Sequence, residues 1–388
     1  MGQSILLVMG TRADAIKMAP IIRRIATDKE LNSVVVTTSQ HRQMLDQVLG
    51  TFKLSVDYDL DIMRPNQTLS SVTVRAIEGL ERVFSENEIA MTVVQGDTTT
   101  SFVGGLVSFY HQVPVAHIEA GLRTFNLLSP FPEEANRRLL DGLSTLLFPP
   151  TASAKRHLLA ENLPEAVMTI TGNTAIDSLL WVTSEKRPIS NDAARAIIEN
   201  RKGKLIVVTA HRRESFGEPF QRLLRSMIRI VRSHPEVEIV YPVHLNPNVE
   251  GPVHRLLEGV ERIHLLPPLD YMDFTMLMAS CDFLLTDSGG IQEEAPALGK
   301  PVVVLREVTE RPEGVEHGVA KLVGTDEELI VRTADSLLQD KELYRSMARR
   351  AFLYGDGLAA DRIHSEIRKA LGLSYEKIAE FVPRIEEI

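Results

Sequence analysis

A chain of 388 residues, 44% hydrophobic and 24% charged, has the balance of a soluble globular protein and exceeds the length at which one core usually splits. Its 52 acidic against 43 basic residues give a net charge of -9, which argues against a nucleic-acid backbone as main partner and requires any anion site to be local. One cysteine, Cys281, lies in an apolar run, so neither a disulfide framework nor a thiolate metal cluster is expected, and a reducing cytoplasm fits.

The N-terminus passes from Met1-Gly2-Gln3-Ser4 into the strand-like Ile5-Leu6-Leu7-Val8 without a basic region or cleavage site, and Leu6 breaks the myristoylation pattern. No apolar run reaches bilayer length, so no membrane partner is expected. Short apolar runs then alternate with longer helical patterns, the signature of parallel α/β architecture. Strands are expected at Ile5 to Met9, Val34 to Thr38, Thr92 to Gln95, Val113 to Ile118, Leu146 to Phe148 and Met168 to Thr171. The second half adds Leu205 to Thr209, Glu238 to Val243, Ile263 to Leu266, Phe283 to Thr286, Val302 to Leu305 and Lys321 to Val323. Each half thus has strands for a sheet of its own. A polar loop, Lys186 to Asp192, lies between the halves, and the boundary is expected nearer Gly172-Asn173.

The polar motifs share one place, the carboxyl end of a strand, where open α/β sheets bind ligands. Gly10-Thr11-Arg12 follows the first strand without the Gly-x-Gly-x-x-Gly or Gly-Lys-Ser/Thr of dinucleotide and triphosphate sites. Lys17 follows one to two turns later. In Gln95-Gly96-Asp97-Thr98-Thr99-Thr100, Asp97 reads as a helix cap or, given the small hydroxyl residues after it, as a ligand group. Glu119 ends the apolar strand of His117-Ile118-Glu119-Ala120-Gly121-Leu122-Arg123, where burial raises a carboxyl toward the range useful for proton transfer. Its structural alternative is an ion pair with Arg123 or Arg137. Glu133 and Glu134 follow Pro132 at a helix start, and spacing alone does not separate a dipole role from a chemical one.

Thr209-Ala210-His211-Arg212-Arg213 sets an imidazole beside guanidiniums, which an anionic diphosphate would complement; His244 holds an equivalent position with weaker grounds. The two histidines are too few for a zinc site. Asp287-Ser288-Gly289-Gly290-Ile291-Gln292-Glu293-Glu294 runs from a strand into a helix, joining glycines and a helix N-terminus suited to a phosphate to a carboxylate suited to ribose hydroxyls. Arg311 is a further loop cation. If the two sheets faced each other at their carboxyl ends, these motifs would share one cleft.

Gly10-Thr11-Arg12, Ala15-Ile16-Lys17-Met18-Ala19-Pro20, Gly96-Asp97-Thr98-Thr99-Thr100, His117 to Thr124, Pro130 to Arg137 and Gly172-Asn173-Thr174 resemble the non-hydrolysing UDP-N-acetylglucosamine 2-epimerases. So do Thr209 to Glu214, Tyr241 to Pro247, Asp287 to Glu294, Thr309 to Glu313 and Tyr354 to Gly357, which extends the resemblance over nearly the whole chain. It implies a GT-B-like pair of Rossmann-like domains: residues 1–170 with 366–388 carrying acid/base carboxylates, and 171–365 binding UDP. It also implies a cytoplasmic homodimer that interconverts UDP-N-acetylglucosamine and UDP-N-acetylmannosamine with neither metal nor cofactor, supplying surface polysaccharide synthesis. In that family UDP leaves by anti elimination, giving 2-acetamidoglucal, and returns as C2 is protonated on the opposite face.

Carried over by motif, Asp97, Glu119 and Glu133 are the acid/base carboxylates and His211 is a stabiliser or proton donor for the departing UDP. Arg12, Lys17, Arg137, Arg212 and His244 contact substrate. Ser288, Gly289 and Gly290 hold the diphosphate, Glu294 the ribose, Arg311 adds a cation, and Tyr271 or Phe274 lies near the uracil. Two departures stand out. Ala13-Asp14 replaces the family's Pro-Glu and resembles the hydrolysing epimerases; Asn66 stands where some relatives carry a basic residue linked to a second, activating UDP-sugar site. The rival readings are a hydrolysing epimerase, a retaining GT-B transferase and a nucleotide-sugar sensor.

Overall fold

The computed structural model describes residues 2–38, 42–64, 67–185 and 187–386; Asn66 and Lys186 lie outside them. The chain forms two compact units, Met1–Ser178 with Tyr354–Val382, and Leu179–Leu353 with Pro383–Ile388.

The first unit carries a parallel six-stranded sheet of β1 (Gln3–Met9), β2 (Leu31–Thr37), β3 (Tyr58–Asp59), β4 (Ile89–Gln95), β5 (Val115–Ile118) and β6 (Leu146–Phe148), ordered β3-β2-β1-β4-β5-β6. Ile5 through Met9 have no exposed surface, because helices cover both faces of a parallel sheet and leave no side of its central strand for polar residues. On one face Val72, Ala76, Leu80 and Val83 of the helix Leu69–Glu86, with Val103 and Val107 of Thr99–Tyr110, pack on Leu6, Val8 and Val94. Their spacing of three and four residues makes the buried stripe. Along the helix Arg12–Ala26 runs the late helix Ala359–Ala370, joined to it by Arg24 Nε to Asp361 Oδ1 at 2.7 Å.

The second unit repeats the plan with β7 (Lys204–Thr209), β8 (Val237–Pro242), β9 (Ile263–Leu266), β10 (Phe283–Thr286), β11 (Val302–Val304) and β12 (Ala320–Leu322), ordered β12-β11-β10-β7-β8-β9. Counted from its own first strand this is again 3-2-1-4-5-6, the Rossmann order, so both units are Rossmann-like. The helix Glu218–Ser233 buries Phe220, Leu223, Leu224, Met227, Ile230 and Val231 against this sheet, a regular helical stripe started by Pro219 in the first turn.

The expected α/β class is what forms, and eleven of the twelve expected strands overlap observed ones. Met168 to Thr171 instead makes one bridge, Leu147 to Met168, its backbone running beside β6 while Ile170 receives Phe381 N. Three two-residue strands were not expected: β3, at a sheet edge, and the antiparallel pair Ala351–Phe352 and Arg384–Ile385, each with too little apolar pattern to mark it.

Candidate active site

In each sheet the chain order reverses between two central strands, β1 and β4 in the first unit and β7 and β10 in the second. The crevice outside the carboxyl ends at such a reversal is the natural ligand site, and the sequence motifs gather there.

In the first unit β4 ends in Gln95-Gly96-Asp97 and β5 in Ile118-Glu119, adjacent strands whose registered pair is Gln95 and Ile118. Glu119 occupies the left-handed region at φ 67°, strained for a residue with a side chain and characteristic of functional sites. Its carboxylate is buried but well supplied: Lys17 Nζ lies 2.6 and 2.7 Å from its two oxygens, Gln95 Nε2 donates at 2.6 Å and Asn173 Nδ2 at 3.0 Å. Gly96 beside it has φ 68°, a left-handed backbone that favours glycine, while a Cβ there would make only ordinary contact with Glu119 Oε2 at 3.4 Å.

Asp97 pairs with Arg137, and Asn136 Nδ2 donates to its carbonyl at 3.0 Å. Beneath this turn His117, without exposed surface, sets Nδ1 2.6 Å from Asp141 Oδ1 and Nε2 2.7 Å from the Gly96 carbonyl. Burial pushes the Asp141 carboxyl up, but His117 and Arg123 more than offset it and hold it below the ordinary range. With an ionised carboxylate on one side and a carbonyl on the other, both ring nitrogens donate. The Gly96-Asp97 turn is therefore pinned from below by a buried ionic chain that continues through Arg123 to Glu161.

Glu133 and Glu134, indistinguishable by spacing, part company. Glu134 has no exposed surface and accepts Thr124 N and Phe125 N, each at 3.0 Å, with Arg137 at 3.2 Å; it holds the 124–131 loop. Glu133 is half-buried at the start of Glu133–Leu143 and, among the described residues, carries no ion pair. Arg12 begins the helix that carries Lys17.

In the second unit β7 leads to His211, β8 to His244 and β10 to Asp287-Ser288. The helix Gly289–Ala297 starts without a side-chain cap, unlike Arg12–Ala26, which is closed by a capping box. Its first N–H groups thus point outward for an anion, aided by the helix dipole. The Arg311 guanidinium lies against this turn, 2.8 Å from Glu293 Oε1, where a Cβ on Gly289 would meet Arg311 Nη1 at 2.9 Å. Gly290 meets nothing within 4 Å. Tyr271 is buried and its hydroxyl reaches Glu294 Oε1 at 3.4 Å, while Phe274, one turn along the same helix, is half-buried. His211 and His244 stack at 5.1 Å with an interplanar angle of 13°. Burial first, and then the nearness of His244 and Arg212, lowers the His211 pKa, with Asp287 opposing.

The structure thus gathers Lys17, Asp97, Glu119 and Arg137 in one unit and His211, His244, Ser288, Gly289 and Arg311 in the other. Sequence reasoning passed over Gln95, Asn173, His117, Asp141 and Asp287 as supports of these groups. Two of them, Gln95 and Asp287, flank motif glycines at strand ends, which is the signal that could have found them. No set of three metal-ligating side chains occurs among the described residues, and no helix among them is long and apolar enough to cross a membrane.

Comparison with known proteins adds an independent line. A family model described as UDP-N-acetylglucosamine 2-epimerase matches residues 23–368. The chain is 50% identical over 365 residues to a UDP-N-acetylglucosamine 2-epimerase of Yersinia pestis, covering 92% of this chain and 96% of that one. It is 48% identical over 366 residues to the Escherichia coli K12 protein of the same name, with the same coverages. Among solved structures, the Neisseria meningitidis UDP-GlcNAc 2-epimerase bound to UDP-GlcNAc is 43% identical with a TM-score of 0.85, covering 95% of this chain and all of that one.

Proposed function

This chain belongs to the UDP-N-acetylglucosamine 2-epimerase family, and from that premise we propose that it interconverts UDP-N-acetylglucosamine and UDP-N-acetylmannosamine without hydrolysis. In the proposed reaction a carboxylate takes the C2 proton, the C1–O bond to UDP breaks, and a C1=C2 double bond forms in 2-acetamidoglucal. UDP oxygen then re-forms the C1 bond as C2 receives a proton on the opposite face. Metal and redox cofactor are not called on.

The observation that carries the reading is the carboxylate pair at the ends of β4 and β5. Glu119, held by Lys17, Gln95 and Asn173, and Asp97, held by Arg137, are oriented groups that proton transfer at a weakly acidic carbon needs and that nucleotide binding alone does not. Glu133 completes the proposed trio. In the second unit Ser288, Gly289, Gly290 and Arg311 would take the diphosphate, Glu294 the ribose, and Tyr271 or Phe274 the uracil, with His211 and Arg212 on the leaving group. Arg12 would contact the nucleotide; the Neisseria relative's bound UDP-GlcNAc supports the substrate class. We further propose a cytoplasmic homodimer serving surface polysaccharide precursors.

The departure at Ala13-Asp14 does not weigh against the non-hydrolysing reading. Asp14 Oδ2 accepts Gly10 N and Thr11 N, each at 3.0 Å, and Asp14 N returns to Thr11 Oγ1 at 3.2 Å. Asp14 is consumed as the third helical residue of a capping box, a place Glu fills equally, so it brings no extra group for water attack. Incubation with UDP-N-acetylglucosamine in heavy water, followed by NMR, tests the proposal. Deuterium at C2 with stable UDP-N-acetylmannosamine is expected; free N-acetylmannosamine would establish hydrolysis, and an unexchanged C2 would leave transfer or binding.

A further inference from the structure

Asp287 is nearly fully buried at the end of β10, yet only one of its oxygens is used. Oδ2 accepts the backbone N–H of His211 at 2.6 Å and of Arg212 at 2.8 Å. Oδ1 has no hydrogen-bond partner and points toward His211 Nδ1, 3.7 Å away. A buried carboxylate oxygen left unpaired is costly, and its retention calls for an explanation. The neighbouring ring narrows it. His244 Nδ1 accepts Asn246 N at 3.0 Å, which leaves the hydrogen of that ring on Nε2.

We propose that Asp287 is the positioning residue of His211: its Oδ1 takes the Nδ1 hydrogen, which leaves Nε2 to meet an oxygen of a diphosphate. This rests on His211 serving the leaving group, as proposed above. The site is otherwise set against a cation. Burial disfavours one, as do His244 and Arg212, with the Asp287 carboxylate alone opposing. Tyr241, the other titratable group packed here, spends its hydroxyl on the Ala210 carbonyl at 2.6 Å, and burial and Asp287 hold it neutral. Without ligand the ring is neutral, with hydrogen on Nδ1. An arriving diphosphate supplies a second anion on the opposite side, and a proton from water then makes an imidazolium held between two negative groups. No covalent step is involved.

Ring-nitrogen NMR of the ligand-free protein at neutral pH reads the tautomer directly and needs neither a variant nor activity. Hydrogen on Nδ1 of His211 is expected; a ring with its hydrogen mainly on Nε2 would overturn the proposal. Asp287→Asn supplies the second arm, because the amide oxygen can keep the two backbone N–H groups while its NH2 replaces Oδ1 and donates to Nδ1. The hydrogen should move to Nε2, the UDP-induced rise in the His211 titration midpoint should shrink by about one unit, and kcat should fall about tenfold or more at similar KM. An unchanged tautomer and midpoint in a folded variant would refute the assignment, and if the variant fails to fold the wild-type spectrum decides. Wild-type protein inactive on UDP-N-acetylglucosamine would sink the functional reading while leaving the tautomer result standing.

Discussion

Lys17 Nζ sits 2.6 Å from Oε1 and 2.7 Å from Oε2 of Glu119, joining the second turn of the first helix to the end of β5 across 102 residues of sequence. The amine is directed at a buried carboxylate, so its charge acts on Glu119 before it acts on any nucleotide. Removing it would leave Glu119 with amide donors, Gln95 and Asn173, from the pairs that define its seat. Lys17→Met should therefore lower kcat about 100-fold, within the usual worth of an acid/base group. UDP binding, measured by calorimetry, should weaken far less. A loss confined to UDP affinity would assign Lys17 to the nucleotide instead.

The two glutamates at the start of Glu133–Leu143 should separate by assay. Glu133→Gln, like Asp97→Asn and Glu119→Gln, is expected to reduce turnover severely while UDP binding stays measurable. Glu134→Ala removes the acceptor of two backbone N–H groups and a partner of Arg137, so it should cost about 2 kcal/mol of stability. Near-wild-type rates in all three of the first set would remove the trio from the mechanism, and an unchanged melting temperature in Glu134→Ala would contradict its loop-holding role.

Most of the frame is legible in the sequence because a doubly covered parallel sheet writes itself as apolar runs, and Ile5 to Met9 or Phe283 to Thr286 can be little else. The site motifs were legible because strand ends are where glycine, histidine and carboxylate interrupt those runs. What could not be read was partnership. Glu119 was weighed against Arg123 and Arg137, four and eighteen residues away, yet Arg123 binds Asp141 and Glu161, and Arg137 binds Asp97 and Glu134. Its cation comes from Lys17, and only the β1-β4-β5 adjacency puts that helix beside it. The Ala13-Asp14 departure likewise took its meaning from two backbone N–H groups that no sequence pattern displays.

Asp177 supports a prediction about pH. Its carboxylate is buried and accepts Ala360 N at 2.8 Å and Ala359 N at 3.4 Å, capping a helix whose own N-cap residue, Leu358, has no side-chain acceptor. Burial raises its pKa to about 7, against an unfolded value near 3.8, and Asp356 and Asp361 add to the rise while the two N–H groups oppose it. The folded state thus binds the proton more tightly than the unfolded one. The stability this gives is fully present below pH 3.8 and is lost as pH rises through about 7, on the order of 4 kcal/mol in all. Asp177→Asn keeps an acceptor for Ala360 N and cannot ionise. Chemical denaturation from pH 4 to 8 should show the variant gaining on the wild type up to about pH 7 and holding a constant lead above it; parallel curves would show that the carboxyl is not raised.

Gly289 and Arg311 form a unit whose coupling can be measured. A methyl group at Gly289 would meet the guanidinium at 2.9 and 3.0 Å, and because the obstacle is the end of a flexible side chain, Arg311 yields rather than the backbone. Gly289→Ala should leave the melting temperature near wild type and weaken UDP about tenfold, or 1.4 kcal/mol, by moving the cation off the uncapped turn. In an Arg311→Met background the guanidinium is already gone, so adding Gly289→Ala should cost less than about a further twofold. Full additivity would mean that the alanine acts on the phosphate directly, and the role of this glycine would then be to admit the ligand rather than to seat the arginine.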